Sequence, residues 1–398
     1  MKAVRILAVV LLVSVGLVAA PAIAADPVME EAFRAIQADD YARAVKLLRP
    51  KAEEGNTEAQ FLLGLMYRDG DGVPQDGRQA ANWLRRAADA GHIGAQYNYG
   101  YMLYAGLAGV REDETEGFRR IADAAERGYA LAQVTGGRIR LYHSGGLKDP
   151  AAAVRFFRMA ADQGNADGLF YLGLVHDFGY GIPQDQSKAV PLYATAAELG
   201  HIRAQAHLGI SFEKGEGVAP DMAQALIWVR RAAEAGDPTG QNSLAVYYLN
   251  GRGVPVDLME AMKFVLLSAA QGFDKAQANV PLIEARLTPS QVAEARRRQA
   301  AWKPSPPWKG KIDLAGRSAP ATAPAAPTPV AKAPAVPPAQ VPPAPTAAPS
   351  DDPARLLYQS GDENLAIRVE PAMTRDQVEA AIRALRIPAR KGAGPGRK

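Results

Sequence analysis

Residues 59–91 read AQFLLGLMYRDGDGVPQDGRQAANWLRRAADAG. Two amphipathic runs flank a Gly-x-Gly-Val-Pro-x-Asp turn, and this unit returns along the chain. Asp76 belongs to a ladder of Asp40, Asp76, Asp113, Asp149, Asp185, Asp221 and Asp257, spaced 36, 37, 36, 36, 36 and 36 residues. Gly55, Gly91, Gly128, Gly164, Gly200, Gly236 and Gly272 run in phase with it. A third ladder, Gly64, Gly100, Gly137, Gly173 and Gly209, continues at Ala245 and ends at Pro281. One residue inserted between Gly106 and Gly109 accounts for the single longer step. A repeat of helix-pair length predicts an all-α chain, an α/α solenoid.

Each ladder has a physical task. The aspartates precede apolar-periodic stretches, where a carboxylate accepts orphan backbone N–H groups as an N-cap. Gln79, Glu116, Gln224 and Glu260 follow three residues later and predict capping boxes. Pro150 after Asp149 suits a first helical position. The second-ladder glycines fall where a helix of three to four turns ends in a left-handed residue. The third lies inside the next helix, where glycine costs about 1 kcal/mol against alanine, so it predicts close approach of a neighbour. Trp83, Phe156, Trp228 and Phe264 share one repeat position and are expected in the core.

The segments Ala59–Tyr67 and Gly70–Asp76, with Trp83 and Ala87-Ala88, resemble Sel1-like repeats, relatives of the tetratricopeptide repeat. The resemblance covers about residues 28–285, with full copies at roughly 57–91, 93–128, 130–164, 166–200, 202–236 and 238–272. It implies a solenoid used for protein–protein interaction and complex assembly, and relatives among envelope regulators and exopolysaccharide assembly factors. Cysteine-rich secreted members are reported to bind or cleave β-lactams; this chain has no cysteine.

Outward from the repeats, Lys2 and Arg5 precede an apolar run, Ile6 to Val18, and Ala22-Ile23-Ala24. That order predicts a signal peptide over 1–25, cleaved near Ala24 or Ala25, and a periplasmic or secreted chain without an integral membrane span. Residues 26–56 are expected to form N-terminal capping helices, with Met29, Ala32, Phe33 and Ile36 on one face. The solenoid, 57–285, should stop at Pro281, which removes a helical N–H. Thr288, Pro289 and Gln291 open a capping helix within 286–302. Residues 303–353 read as a disordered Pro/Ala-rich linker. The short segment 354–398 carries one helix, at about 375–386, and a basic tail.

The net charge of +4 is too small to imply a nucleic-acid partner. Without cysteine there is no disulfide or Cys-ligated zinc. The five histidines show no helical metal-ligand pair, so no metal or cofactor is expected. His92 and His201 share one repeat position, which argues for a structural role. Ser211-Phe212-Glu213-Lys214 matches Ser-x-x-Lys, but neither Ser-Asp-Asn nor Lys-Thr-Gly accompanies it. No residue supports an enzyme.

What remains is surface. If the geometry follows the tetratricopeptide repeat, first helices present Phe61, Leu65 and Arg68; Tyr97, Tyr101 and Tyr104; Val134, Arg138 and Leu141; Phe170, Leu174 and Asp177. Tyrosine offers contact area with a hydroxyl at low entropic cost. The expected partner-binding residues are Phe61, Arg68, Tyr97, Tyr101, Tyr104, Arg138, Phe170 and Asp177. The expectation is a non-catalytic periplasmic adapter for a protein or peptide partner in the cell envelope. The alternatives are an envelope hydrolase or β-lactam-binding protein, and a peptidoglycan or polysaccharide binder touching the cell wall through its linker and tail.

Overall fold

The computed structural model describes residues 26–143 and 145–312. Residues 1–25 and 313–398, and with them the expected signal peptide, most of the linker and the C-terminal helix, lie outside the described residues. Among the described residues there are sixteen α-helices and no strand. Helices α1 (Pro27–Gln37) and α2 (Tyr41–Glu53) come first. The pairs are α3 (Thr57–Asp69) with α4 (Gly77–Asp89), α5 (Ile93–Tyr104) with α6 (Glu114–Glu126), and α7 (Ala130–Tyr142) with α8 (Pro150–Asp162). Next come α9 (Ala166–Phe178) with α10 (Gln186–Glu198), α11 (Ile202–Lys214) with α12 (Met222–Glu234), and α13 (Pro238–Asn250) with α14 (Leu258–Ala270). Helices α15 (Asp274–Glu284) and α16 (Pro289–Ala301) follow, and α16 packs on α14.

The ladders do their expected work. All seven aspartates cap helices through their side chains. The seven turn glycines have φ between 72° and 101°, the left-handed region that L side chains avoid. Third-ladder glycines sit against the second helix of their own pair. A Cβ on Gly64 would lie 2.7 Å from Leu84, and one on Gly209 would lie 2.7 Å from Val229 and 2.9 Å from its backbone nitrogen. The inserted residue is absorbed by a 3₁₀ turn at Leu107–Gly109.

Three expectations change. Glu116 and Glu260 do not complete capping boxes; Glu116 is held by Arg119 and Arg120, Glu260 by Lys263 and Arg298, and charged partners outcompete a backbone N–H. The full box forms at Thr288 and Gln291. Pro281 does not break its own helix, since α15 runs past it to Glu284, but the repeat does end with this helix.

The third change concerns residues 303–312, which are not a free spacer. They run back as a strap over α12 and α10. The Ser305 N–H donates to the Glu234 carbonyl (2.7 Å), and the Gly310 N–H to that of Glu198 (3.1 Å). Trp308 stands edge-on to Trp228, centroids 5.0 Å apart, and the Arg231 guanidinium lies 4.1 Å from its ring centre. Gln205 Nε2 donates to the Trp308 carbonyl (2.8 Å), and Lys311 pairs with Glu198 at 3.1 Å. Composition weighs the prolines here, but anchoring comes from Trp302 beside Gly236 and from Trp308.

A second ladder explains where the strap sits. Gln60, Gln133, Gln205 and Gln241 are buried and donate to the carbonyls of Ala52, Ala125, Ala197 and Ala233 on the preceding helix. From the far end of each pair, Arg127, Gln163 and Gln271 donate to the side-chain oxygens of Gln96, Gln133 and Gln241 at 2.8, 2.7 and 2.8 Å. Ala235 stands at that position opposite Gln205 and cannot donate. The strap does not replace that donor, and Gln205 Oε1 stays unpartnered; it fills the gap left by Ala235 and gives Gln205 Nε2 a second acceptor, the Trp308 carbonyl.

Candidate functional site: the first-helix face

The N-terminal ends of the first helices carry a recurring cluster. His92 caps α5 by accepting the Ala95 N–H on Nδ1 (3.1 Å), meets Glu58 through Nε2 (3.0 Å), and stacks on Phe61 at 4.3 Å. His201 repeats this on α11: Nδ1 takes the Ala204 N–H (3.0 Å), Nε2 meets Asp167 (3.1 Å), and the ring stacks on Phe170 at 4.5 Å. Both histidines are structural caps. Phe61 and Phe170, expected as contact residues, are 4 % and 0 % exposed. They are the apolar floor under the histidines, because stacking and helix packing cover both faces of each ring.

Between these clusters the face is aromatic and charged. Tyr97, 8 % exposed, shares a hydrogen bond with Thr135 (3.2 Å), stacks with Tyr101 (centroids 6.2 Å apart) and meets Tyr129 at a tilt (5.5 Å). Tyr101, Tyr104 and Arg138 are half-buried. The Arg138 guanidinium lies 5.8 Å from the centre of the Tyr171 ring. Burial works against its charge, but Tyr171, Tyr101, Tyr97 and the Asp167 carboxylate outweigh that and raise its pKa above the usual arginine value. Arg203 lies 4.7 Å from the Phe170 ring centre and 5.7 Å from that of Tyr171. Burial tends to raise the Asp167 pKa; the hydrogen bond from His201 and the charges of His201, Arg138 and Arg203 overcome it and hold the pKa low. Side chains of four successive first helices therefore carry fixed charges and phenol groups side by side.

The remaining two predicted contacts are committed to the fold. Arg68 makes a two-point contact with Asp69, 2.8 Å at each oxygen, and donates to Asn98 (2.6 Å). Asp177 accepts from Tyr193 (3.0 Å) and Gln186 (3.4 Å), and burial raises its pKa. His207 lies 4.0 Å from Asp177, but burial first, and then Arg203, His201 and Lys214, push its pKa down to about 3. At neutral pH that contact is between a neutral imidazole and a carboxyl group. Ser211 is 6 % exposed, and the ammonium of Lys214 pairs with Glu216 at 3.4 Å. Among the described residues no group of His, Cys, Asp and Glu side chains could hold a metal ion.

Six matches to the Sel1 repeat model cover residues 57–92, 93–119, 129–165, 166–201, 202–237 and 238–273, more than half of the chain, and no further repeat is matched beyond residue 273. The chain belongs to the Sel1 repeat family. A Sel1 repeat protein from Oxalobacter formigenes has a similar crystal structure: 28 % identity, TM-score 0.56, covering 60 % of this chain and 95 % of that one. Among curated proteins the chain is similar to a chitin synthase regulator of Saccharomyces cerevisiae, 28 % identical over 34 % of this chain and 21 % of that one. It is also similar to an exopolysaccharide production negative regulator of Rhizobium leguminosarum bv. viciae, 27 % identical over 36 % of this chain and 58 % of that one. The chain thus spans about a fifth of the yeast relative. Sel1 repeat proteins are in general scaffolds for protein interaction.

Within these Sel1 repeats the reading from periodicity missed Tyr129, Asp167, Tyr171 and Arg203. They stand outside the three heptad-like positions chosen per helix, at a helix N-terminus or on the flank, and Tyr171 lies buried beneath the face. The caps at the first-helix starts also vary: Asn56, His92, Asn165, His201 and Asp237. Asp237 is 5 % exposed, and burial raises its pKa from 3.8 to about 6 against the Gly240 N–H bond (2.7 Å) and the charge of Arg203. The folded chain therefore binds this proton more tightly than the unfolded chain. Its contribution to stability is full below about pH 4 and declines as pH rises to about 6. Asp237→Asn keeps the cap, as Asn56 and Asn165 do, and is expected to stabilise the protein by about 1–3 kcal/mol at pH 7. Urea unfolding at pH 4 and pH 7 checks this; an equal effect at both values refutes it.

Proposed function

We propose that this protein is an exported, non-catalytic scaffold that binds a protein partner in the cell envelope and serves in its regulation or assembly. The observation that carries the reading is the cluster of half-buried Tyr101, Arg138, Asp167 and Arg203 on neighbouring first helices, set over the buried rings of Tyr97 and Tyr171. Aromatic and arginine side chains held by packing are what interface hot spots are made of. The charged residues suit a peptide segment with carboxylates near an aromatic or apolar group. Export rests on the order of basic, apolar and Ala-x-Ala residues before Asp26. The regulatory role is supported by the two relatives named as regulators.

In quantitative pull-down from envelope extract, Tyr101→Ala and Arg138→Ala are each expected to weaken the recovered partner about tenfold or more, equivalent to about 1.4 kcal/mol. Unchanged interactors in both variants would remove the assigned face. Retention of residues 1–25 in a cytoplasmic fraction, read by mass spectrometry, would remove export. Nitrocefin turnover lost on Ser211→Ala would replace the whole reading with a hydrolase.

A further inference from the structure

The strap site on α12 has a near copy at the other end of the array. Glu198, Gly200, Gln205, Trp228, Arg231, Glu234, Ala235 and Gly236 each have a counterpart 145 residues earlier: Glu53, Gly55, Gln60, Trp83, Arg86, Asp89, Ala90 and Gly91. Seven of the eight are identical and the eighth is Asp for Glu. The intervening pairs lack this combination: Arg127 and Gln163 reach across and close the position in two of them, and the third has Leu169 in place of the glutamine. The geometry repeats as well. Arg86 lies 4.5 Å from the centre of the Trp83 ring, as Arg231 does from that of Trp228. Gln60 Nε2 donates to the Ala52 carbonyl as Gln205 Nε2 does to that of Ala197, and only Gln205 has the strap carbonyl as a second acceptor. Glu53, Arg86, Asp89 and Ala90 are exposed, whereas Glu198, Arg231, Glu234 and Ala235 are partly covered.

We propose that Glu53, Gln60, Trp83, Arg86, Asp89 and Ala90 form a second strap site, which receives an extended segment of a partner protein carrying a tryptophan followed by lysines. The chemistry is that of Trp308-Lys309-Gly310-Lys311 on α12. The indole rests on Arg86 against Trp83, and the carbonyl of the tryptophan accepts the second N–H of Gln60. The lysine pairs with Glu53, and a backbone N–H reaches the carbonyl at the end of α2. This site shares no residue with the first-helix face, so the two proposals stand or fall separately. A second copy of the chain is disfavoured as the occupant. Its strap would leave its own α12 and exchange one set of contacts for an equivalent set, losing the high effective concentration of the intramolecular arrangement.

The probe is a fluorescein-labelled peptide of residues 301–312, titrated by anisotropy into the full chain and into two variants. Ala90→Gln installs the donor that closes the position at Gln163 and Gln271; Arg86→Glu removes the cation under the indole. Both changes are on an exposed helix end, and circular dichroism checks that the fold is kept. Saturable binding is expected, weakened at least tenfold by either variant and by Trp308→Ala in the peptide. Absence of saturable binding, or binding undiminished in both variants because the peptide only exchanges with the chain's own strap, overturns the proposal. So does concentration-dependent dimerisation of the unliganded chain that Ala90→Gln abolishes, since the occupant is then a second copy.

Discussion

Gly117→Val is expected to lower stability by roughly 3 kcal/mol or more and to divide unfolding into two transitions. Gly117 on α6 faces Gly100 on α5, and a Cβ there would press into the backbone nitrogen of Tyr104 and lie 2.7 Å from the Gly100 carbonyl oxygen. These obstacles are backbone atoms, so no rotamer change relieves them. At Gly137 the nearest atom is instead the ring of Phe157, a side chain that can move. In a solenoid each repeat is stabilised through its neighbours. Forcing α5 and α6 apart therefore weakens the coupling of α1–α4 to the rest. Calorimetry with circular dichroism would show an early, N-terminal transition. One cooperative transition within about 1 kcal/mol of the wild type would refute the account.

The second large effect is expected at Phe170. Phe170→Ala should cost roughly 3–5 kcal/mol, the range for emptying a buried aromatic site. Its ring packs against Tyr171 (5.2 Å), Tyr193 (5.9 Å), His201 (4.5 Å) and His207 (5.5 Å), and Arg203 covers it. Phe170→Leu keeps most of the apolar volume, should cost markedly less, and should leave partner binding unchanged. Urea unfolding separates the two. A fully stable Phe170→Ala that loses partner binding would return this residue to the contact surface.

Much of the architecture was legible because it is periodic. An N-cap, a left-handed glycine and a helix-interior glycine each act within a few residues of themselves, so their spacing in the sequence is their spacing in the fold. The candidate site was legible only in part. Helical phase selects which side of α5 carries Tyr97, Tyr101 and Tyr104, but it cannot say how deep each sits; burial depends on the neighbouring helix. Hence Phe61 and Phe170 moved to the core, while Arg138 stayed half-buried over Tyr171 and beside Asp167 and Arg203, which no spacing had grouped with it.

Glycine and aspartate ladders, together with the absence of cysteine, were enough to specify a stack of helix pairs held without disulfides. The tertiary structure decided what meets between segments far apart in the chain: the tail at Trp308 lying on Trp228, Gln205 taking an acceptor from that tail, and the matching surface at Trp83. Such contacts depend on where folding carries each segment and on which side chain happens to be missing at Ala235 or Ala90. Local propensity holds no information on either.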